Sequence, residues 1–254
     1  MLDWPAFPLP PSAMPRPLSL LALLLAAAFG AAACAATPAP APATEVAGGL
    51  DPVSSPDWVQ DMARFAAEDA ARPPPPRPVV FTGSSSVRLW ETLAQDFPQY
   101  PVLNRGFGGS HVRDAVHYAD EVAIRYRPGR ILIYAGDNDT MDGRSPAQVL
   151  ADFQRFVARV HRDLPGTPVA YISIKPSPSR AQLMPVQREA NALVAAWAER
   201  TPQVDYIDVF APMLDADGQP REELFVADRL HMNAAGYAIW RRIIGDYLER
   251  PPAP

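Results

Sequence analysis

Short aliphatic runs alternate with amphipathic helical patterns along most of this chain, and this alternation restricts the folds that it can adopt. Strands that are joined through helices need right-handed crossovers, which produce a parallel sheet with helices on both faces. The chain is therefore predicted to be an α/β protein with its ligand crevice outside the carboxyl ends of the strands. The candidate strands are Pro78 to Thr82, Pro101 to Arg105, Arg130 to Ala135, Pro168 to Ile174 and Val204 to Val209.

Two of the connecting segments, and the segment near the end of the chain, carry apolar residues at the spacing of one helix face. Such stripes are typical of helices that pack on a core, and a chain of 254 residues has room for one sizeable core. The stripes are Val149, Phe153, Phe156, Val157 and Val160; Val186, Ala190, Leu193, Val194 and Trp197; and Ile239, Trp240, Ile243, Ile244 and Tyr247.

The first residues indicate an exported protein. An uncharged, mostly Leu and Ala run from Leu18 to Ala33 is typical of a signal-peptide core and is short of the roughly 20 apolar residues that a membrane span needs. Met14, followed by Pro15 and Arg16, fits a signal-peptide start better than Met1 does. The predicted organisation is a signal peptide over 1–34, a Pro/Ala-rich linker over 35–55 and a folded domain over 56–250.

Cys34 is the single cysteine of the chain and follows three alanines. The sequence Ala31-Ala32-Ala33-Cys34 resembles a bacterial lipobox, although position −3 is Ala rather than the usual Leu. The resemblance implies lipidation of Cys34, a membrane tether, and a periplasmic or outer-membrane location in a bacterium. Cleavage by ordinary signal peptidase at one of several Ala-x-Ala sites is the alternative.

Composition argues against several classes of partner. The formal net charge is −5, with 23 basic and 28 acidic residues, so nothing favours nucleic acid. The four histidines and Cys34 lack the close spacing of a structural zinc site. We expect no metal, no disulfide and no cofactor.

A serine and an acid–histidine pair are the first candidates for chemistry. The first strand runs into Gly83-Ser84-Ser85-Ser86, where backbone N–H groups and a helix start favour an oxyanion. Asp228 precedes His231 by three residues, which allows the carboxylate to reach the imidazole on one side of a helical turn. Taken alone, each is more often a turn, a cap or a surface pair.

Two further turns follow predicted strands. Asn104 to Ser110 is glycine-rich, so that its backbone N–H groups can approach a substrate oxygen. Asn138, after the third strand, carries a side-chain amide that can donate to the same oxygen. Both segments also have ordinary turn explanations. The loop Ser173 to Pro178 either contacts a leaving group or is a connection stiffened by proline.

Taken in order, these four blocks resemble the signature blocks of SGNH (GDSL-like) hydrolases, over roughly Val79 to Leu248. The resemblance implies a three-layer αβα, flavodoxin-like fold with a five-stranded parallel sheet. It also implies roles at the matching positions: Ser85 as nucleophile, Asp228 as orienting acid, His231 as base, and the Ser85 and Gly109 N–H groups with Asn138 as oxyanion donors.

Two departures from the family pattern concern the nucleophile block. The usual Gly-Asp-Ser is Gly83-Ser84-Ser85 here, as in family members that carry Gly-Ser-Ser-Ser. Three consecutive serines also leave Ser84 and Ser86 as fallback nucleophiles, although the family spacing favours Ser85.

The resemblance implies a serine ester hydrolase that works through an acyl-enzyme on Ser85. Short, acetyl-type esters of a carbohydrate or a lipid are the expected substrates, because no long apolar lid segment lies between the blocks. Lysophospholipase or thioesterase activity is the alternative among enzymes. A non-catalytic module that binds cell-envelope glycan is the alternative outside them, and a nucleotide- or flavin-binding protein is disfavoured because no G-x-G-x-x-G follows the first strand.

Overall fold

A computed structural model describes residues 58–250, which contain a parallel sheet of five strands in the order β2-β1-β3-β4-β5. The strands are β1 Val79–Gly83, β2 Val102–Gly106, β3 Arg130–Tyr134, β4 Val169–Ile172 and β5 Val204–Ile207. Every pair of neighbours is parallel, so all carboxyl ends lie along one edge. The predicted α/β fold with a flavodoxin-like sheet is confirmed.

Helices and short 3-10 turns connect the strands. The helices are α1 Trp58–Ala71, α2 Ser85–Arg88, α3 Leu93–Asp96, α4 Val112–His117, α5 Ala119–Val122, α6 Asp137–Met141, α7 Pro146–Asp163, α8 Met184–Ala198 and α9 Ala234–Leu248. The 3-10 turns are Ile124–Tyr126, Pro178–Leu183, Ala211–Met213 and Glu222–Leu224. The three apolar stripes fall in α7, α8 and α9, as predicted.

The sheet separates two apolar cores because successive strand residues point to opposite faces. In β3, Ile131 and Ile133 pack against α1, α4, α5, α7 and α8, whereas Leu132 and Tyr134 pack against α2, α3 and α9. These residues are all fully buried. Both faces of the sheet are therefore covered, as in a three-layer αβα arrangement.

Helix α1 was not among the predicted elements, although Trp58, Met62 and Phe65 form a buried stripe at helical spacing. It is tied to β2 by an ion pair between Asp69 and Arg105, whose side chain is only 4% exposed. The indole Nε1 of Trp58 also donates to the Gly108 carbonyl, at 2.9 Å. Helix α1 thus supports the turn that follows β2.

The predicted signal peptide, lipobox, linker and alternative start lie outside the described residues. From Trp58 to Arg250, no helix is both long and apolar enough to cross a bilayer.

Candidate active site

Ser85 is placed by the abrupt transition from β1 to α2. Gly83 ends the strand with φ of +107°, and a Cβ there would lie 2.0 Å from the Tyr134 carbonyl oxygen. The chain therefore turns sharply against β3, and Ser84 N donates to that same oxygen at 2.8 Å. Ser85 follows as the first residue of α2, at the carboxyl edge of the sheet.

The three consecutive serines have different surroundings. Ser84 and Ser86 are buried, at 2% and 3% exposure, and Ser84 Oγ accepts a hydrogen bond from Asn138 Nδ2 at 3.3 Å. Ser85 is half-buried and lines an open cleft. Of the three, Ser85 is the one whose hydroxyl is open to a substrate.

His231 joins Ser85 to Asp228. The distance from His231 Nε2 to Ser85 Oγ is 3.0 Å, and the distance from His231 Nδ1 to Asp228 Oδ2 is 2.6 Å. A carboxylate on Nδ1 holds the proton of the neutral ring at that nitrogen, which leaves Nε2 as the acceptor for a hydroxyl proton. The arrangement can therefore take a proton from Ser85.

The prediction that Asp228 and His231 share a helical turn is wrong. They lie in a non-helical turn in which Arg229 has φ of +59°, a left-handed conformation that no right-handed helix contains. The turn is closed by an antiparallel bridge between Phe225 and Met232. A turn of this kind also brings residues three apart together, so the sequence spacing did not distinguish the two geometries.

Asp228 is held as a carboxylate by the turn itself. Its Oδ1 accepts from the backbone N–H groups of Leu230 and His231, both at 2.9 Å. Burial has the largest single effect on the pKa of Asp228 and raises it, but the hydrogen bonds from His231 and Leu230 together outweigh burial and lower the pKa to about 2. Asp228 is therefore ionised at neutral pH.

Gly109 and Asn138 lie in the same cleft as Ser85. Gly109 has φ of +83°, and a Cβ there would meet nothing within 4 Å, so its backbone faces open space. Asn138 Nδ2 donates to the Ser110 carbonyl at 3.1 Å as well as to Ser84. The structure thus brings together all five residues that the sequence singled out.

The cleft has a volume of about 410 Å³ and is open to solvent. Sequence reasoning missed three of its charged side chains, because only the tertiary fold places them there: one acid from α1, one arginine from α2 and one arginine from the 3-10 turn after β4. The lining residues are Asp61, Ser85, Arg88, Gly108, Gly109, Asn138, Arg180, Leu230 and His231.

The loop Ser173 to Pro178 does not line this cleft. Ser173 Oγ accepts from the backbone N–H groups of Val209 and Phe210, and Lys175 is only 1% exposed. The buried contacts favour the structural interpretation of this loop over contact with a leaving group.

In the described part of the chain, no three His, Cys, Asp or Glu side chains are grouped so that they could hold a metal ion.

Comparison with known proteins gives a family match for most of the chain. The model of the GDSL-like lipase/acylhydrolase family matches residues 52–239. No curated protein sequence matches the chain.

Three similar solved structures share the fold. A candidate platelet activating factor protein from Streptococcus pneumonia is 22% identical, with a TM-score of 0.67 over 76% of this chain and 92% of its own. A GDSL-like lipase from Bacteroides thetaiotaomicron is 21% identical, with a TM-score of 0.63 over 74% and 97%. A candidate acylhydrolase from Bacteroides fragilis is 19% identical, with a TM-score of 0.65 over 76% and 98%.

Proposed function

The chain belongs to the GDSL-like lipase/acylhydrolase family, and we propose that it hydrolyses carboxylic esters through an acyl-enzyme on Ser85. The observation that carries the proposal is the continuous contact from Ser85 through His231 to Asp228, with heavy-atom distances of 3.0 and 2.6 Å. Both distances are within hydrogen-bond reach.

In the proposed reaction, His231 Nε2 takes the proton of Ser85 as Oγ attacks the ester carbonyl carbon. The resulting imidazolium is stabilised by Asp228, and it returns the proton to the departing alcohol. Water then attacks the acyl carbon while His231 takes one of its protons. The bond to Ser85 Oγ breaks, the imidazolium returns the proton to Oγ, and the carboxylic acid is released. The N–H groups of Ser85 and Gly109 and the Asn138 amide are the proposed donors to the oxyanion in both steps.

Short acyl groups of the acetyl type suit the cleft best. Among the side chains that line it in the described chain, Leu230 is the only apolar one, whereas Asp61, Arg88 and Arg180 are charged. A long acyl chain binds well only where an apolar surface takes it out of water, because each CH2 that is buried contributes about 0.8 kcal/mol to the binding free energy. We therefore propose a small-molecule acetyl-type ester of a carbohydrate or a lipid, and no nucleic acid partner.

The leader supports a proposal about location. The apolar run over Leu18 to Ala33 and the cysteine after it favour export and attachment to a membrane through a lipidated Cys34. The charged, open cleft described above is compatible with water-soluble substrates at such a surface.

The test is hydrolysis of p-nitrophenyl acetate by the wild type and by Ser85→Ala. We expect Ser85→Ala to lose nearly all activity and His231→Ala to lose a comparable amount, whereas His117→Ala, an exposed histidine outside the cleft, keeps the wild-type rate. A p-nitrophenyl ester series of increasing chain length is expected to show the highest kcat/KM at acetate. Equal rates in the wild type and Ser85→Ala would exclude the mechanism, and glycan binding without any hydrolysis would support the non-catalytic alternative.

A further inference from the structure

We propose that Arg180 is a positioning residue that fixes the direction of the Asn138 side-chain amide, and this inference rests on the proposed function. Arg180 Nη1 donates to Asn138 Oδ1 at 3.2 Å. A guanidinium group has donors and no acceptor, so it can pair only with the oxygen end of the amide. Arg180 therefore keeps the N–H2 end directed away from itself.

The other end of the amide agrees with this direction. Asn138 Nδ2 donates to Ser84 Oγ at 3.3 Å and to the Ser110 carbonyl at 3.1 Å. A flipped amide would place its oxygen against the Ser110 carbonyl oxygen and its N–H2 against the guanidinium. Both contacts would then be repulsive, so Arg180 makes the wrong orientation costly.

Arg180 is itself held by buried charges. Its Nη1 lies 2.8 Å from Asp137 Oδ1, which also accepts from Gln187 Nε2 at 3.2 Å. The second oxygen of Asp137 lies 3.4 Å from the buried Nζ of Lys175. Burial acts to raise the pKa of Asp137, but Lys175 and Arg180 outweigh it and keep the pKa below its usual value. Asp137 is thus a fixed anion that anchors the guanidinium.

Lys175 is the buried partner of the second oxygen of Asp137. Burial lowers the pKa of Lys175, whereas the carboxylates of Asp137 and Asp228 act to raise it. The buried contact between Asp137 and Lys175 thus continues the ion pair that holds Arg180.

If Arg180 only stabilised the 3-10 turn Pro178–Leu183 through an ion pair, its substitution would have a different effect on the kinetics. Such a pair would change stability and would affect turnover equally whether or not Asn138 is present. A residue that acts through the Asn138 amide loses its effect once that amide is removed. The two roles are separated by a double-mutant cycle.

The experiment measures kcat and KM on p-nitrophenyl acetate for the wild type, Arg180→Gln, Asn138→Ala and the double variant. Asn138→Ala is expected to lose about 100- to 1,000-fold in kcat, the effect of removing one oxyanion donor. Arg180→Gln is expected to lose at least about 10-fold in kcat with KM little changed, and less than about 3-fold further in the Asn138→Ala background. Arg180→Lys, which keeps a charged donor, should recover part of the loss.

Arg242→Gln, on the exposed side of α9, is the matched control and should keep the wild-type rate and the wild-type unfolding temperature. If Arg180→Gln does not fold, Arg180→Lys replaces it in the cycle. Equal fold-losses from the Arg180 substitution in both backgrounds, or a change in KM alone, would overturn the inference while the proposed function stands. Hydrolysis by Ser85→Ala at the wild-type rate would instead overturn the proposed function, and the inference with it.

Discussion

Gly83 and Gly109 both have positive φ, but different parts of the molecule require the glycine at each position. At Gly83 a Cβ would lie 2.0 Å from the backbone oxygen of Tyr134, in the neighbouring strand β3. At Gly109 a Cβ would meet nothing within 4 Å. Packing of the sheet therefore excludes a side chain at Gly83, whereas only backbone strain disfavours one at Gly109.

Gly109→Ala should consequently lower the free energy of unfolding by about 1 to 2 kcal/mol, the cost of a left-handed alanine. Gly83→Ala should cost at least about 3 kcal/mol, because the backbone of β3 cannot move away cheaply. Urea unfolding of the two purified variants measures both values. Equal losses would mean that the close approach of Gly83 to β3 does not constrain the protein.

Asp139, next to Asn138, is a fully buried acid beside the proposed oxyanion donors. Its carboxylate accepts a hydrogen bond from Val112 N at 3.1 Å, at the start of α4. Burial raises the pKa of Asp139 from 3.8 to about 6, although His111 and the Val112 N–H act to lower it. Between these two pH values the folded chain holds a proton that the unfolded chain has released.

The stability contributed by protonated Asp139 should therefore be present below about pH 4 and be lost as the pH rises through about 6. Asp139→Asn removes this ionisation. Its unfolding free energy relative to the wild type should rise by on the order of 2 kcal/mol between pH 4 and pH 7. Thermal or urea unfolding of both proteins at the two pH values gives this difference, and a difference independent of pH would contradict the assignment.

At the scale of elements, the strands were the most predictable part of the fold. The strand predicted over Pro78 to Thr82 is observed over Val79–Gly83, a shift of one residue. It was predictable because a short run of mostly apolar residues is typical of a strand that is buried on both faces. Predicted Pro168 to Ile174 was too long at its carboxyl end: the strand ends at Ile172, and the Ile174 N–H is bound by the Asn191 side chain instead.

The site was predictable only in part. The turns that follow β1, β2 and β3 contain Ser85, Gly109 and Asn138. The position of each residue along the chain therefore also places it at the carboxyl edge of the sheet. Arg180 and Asp61 enter the cleft through the docking of a 3-10 turn and of α1, and neither sequence spacing nor periodicity carries that information. Tertiary placement of this kind requires the structure.

Asn233 links the element that carries His231 to helix α9. Its Oδ1 accepts from the N–H groups of Ala235 and Gly236, which makes it the N-cap of the helix. Its Nδ2 donates to the carbonyl groups of Glu223 and Phe225, at 2.8 and 3.1 Å. One side chain thus fastens both the helix start and the segment before the Asp228 turn.

Asn233→Ala should destabilise the protein by about 2 kcal/mol, since it removes a cap worth about 1 kcal/mol and two further hydrogen bonds. Asn233→Ser keeps a good capping oxygen and loses the two donors, so it should cost about half as much. Urea unfolding compares the two. A serine variant as unstable as the alanine variant would show that the cap contributes nothing.

At the scale of the whole molecule, residues 58–250 hold two cores, one on each face of the sheet, and the cleft opens at the edge where the strands end. Side chains that line the cleft come from both sides of the sheet: Asp61 from α1 on one face, and Arg88 from α2 on the other. The residues proposed for catalysis all lie within this range, whereas Cys34 lies outside it.

Because Cys34 lies outside the residues proposed for catalysis, its lipidation can be tested separately from activity. If Cys34 carries a lipid, Cys34→Ala should move the exported protein from the membrane fraction to the soluble periplasmic fraction, while kcat and KM on p-nitrophenyl acetate stay unchanged. A single acyl chain gives only reversible membrane binding, so the tether requires the several chains of a bacterial lipoprotein. The measurement is cell fractionation of a Gram-negative host that expresses the full chain, with radiolabelled palmitate as a direct test of lipidation. Wild-type protein that is soluble and unlabelled would instead support cleavage by ordinary signal peptidase.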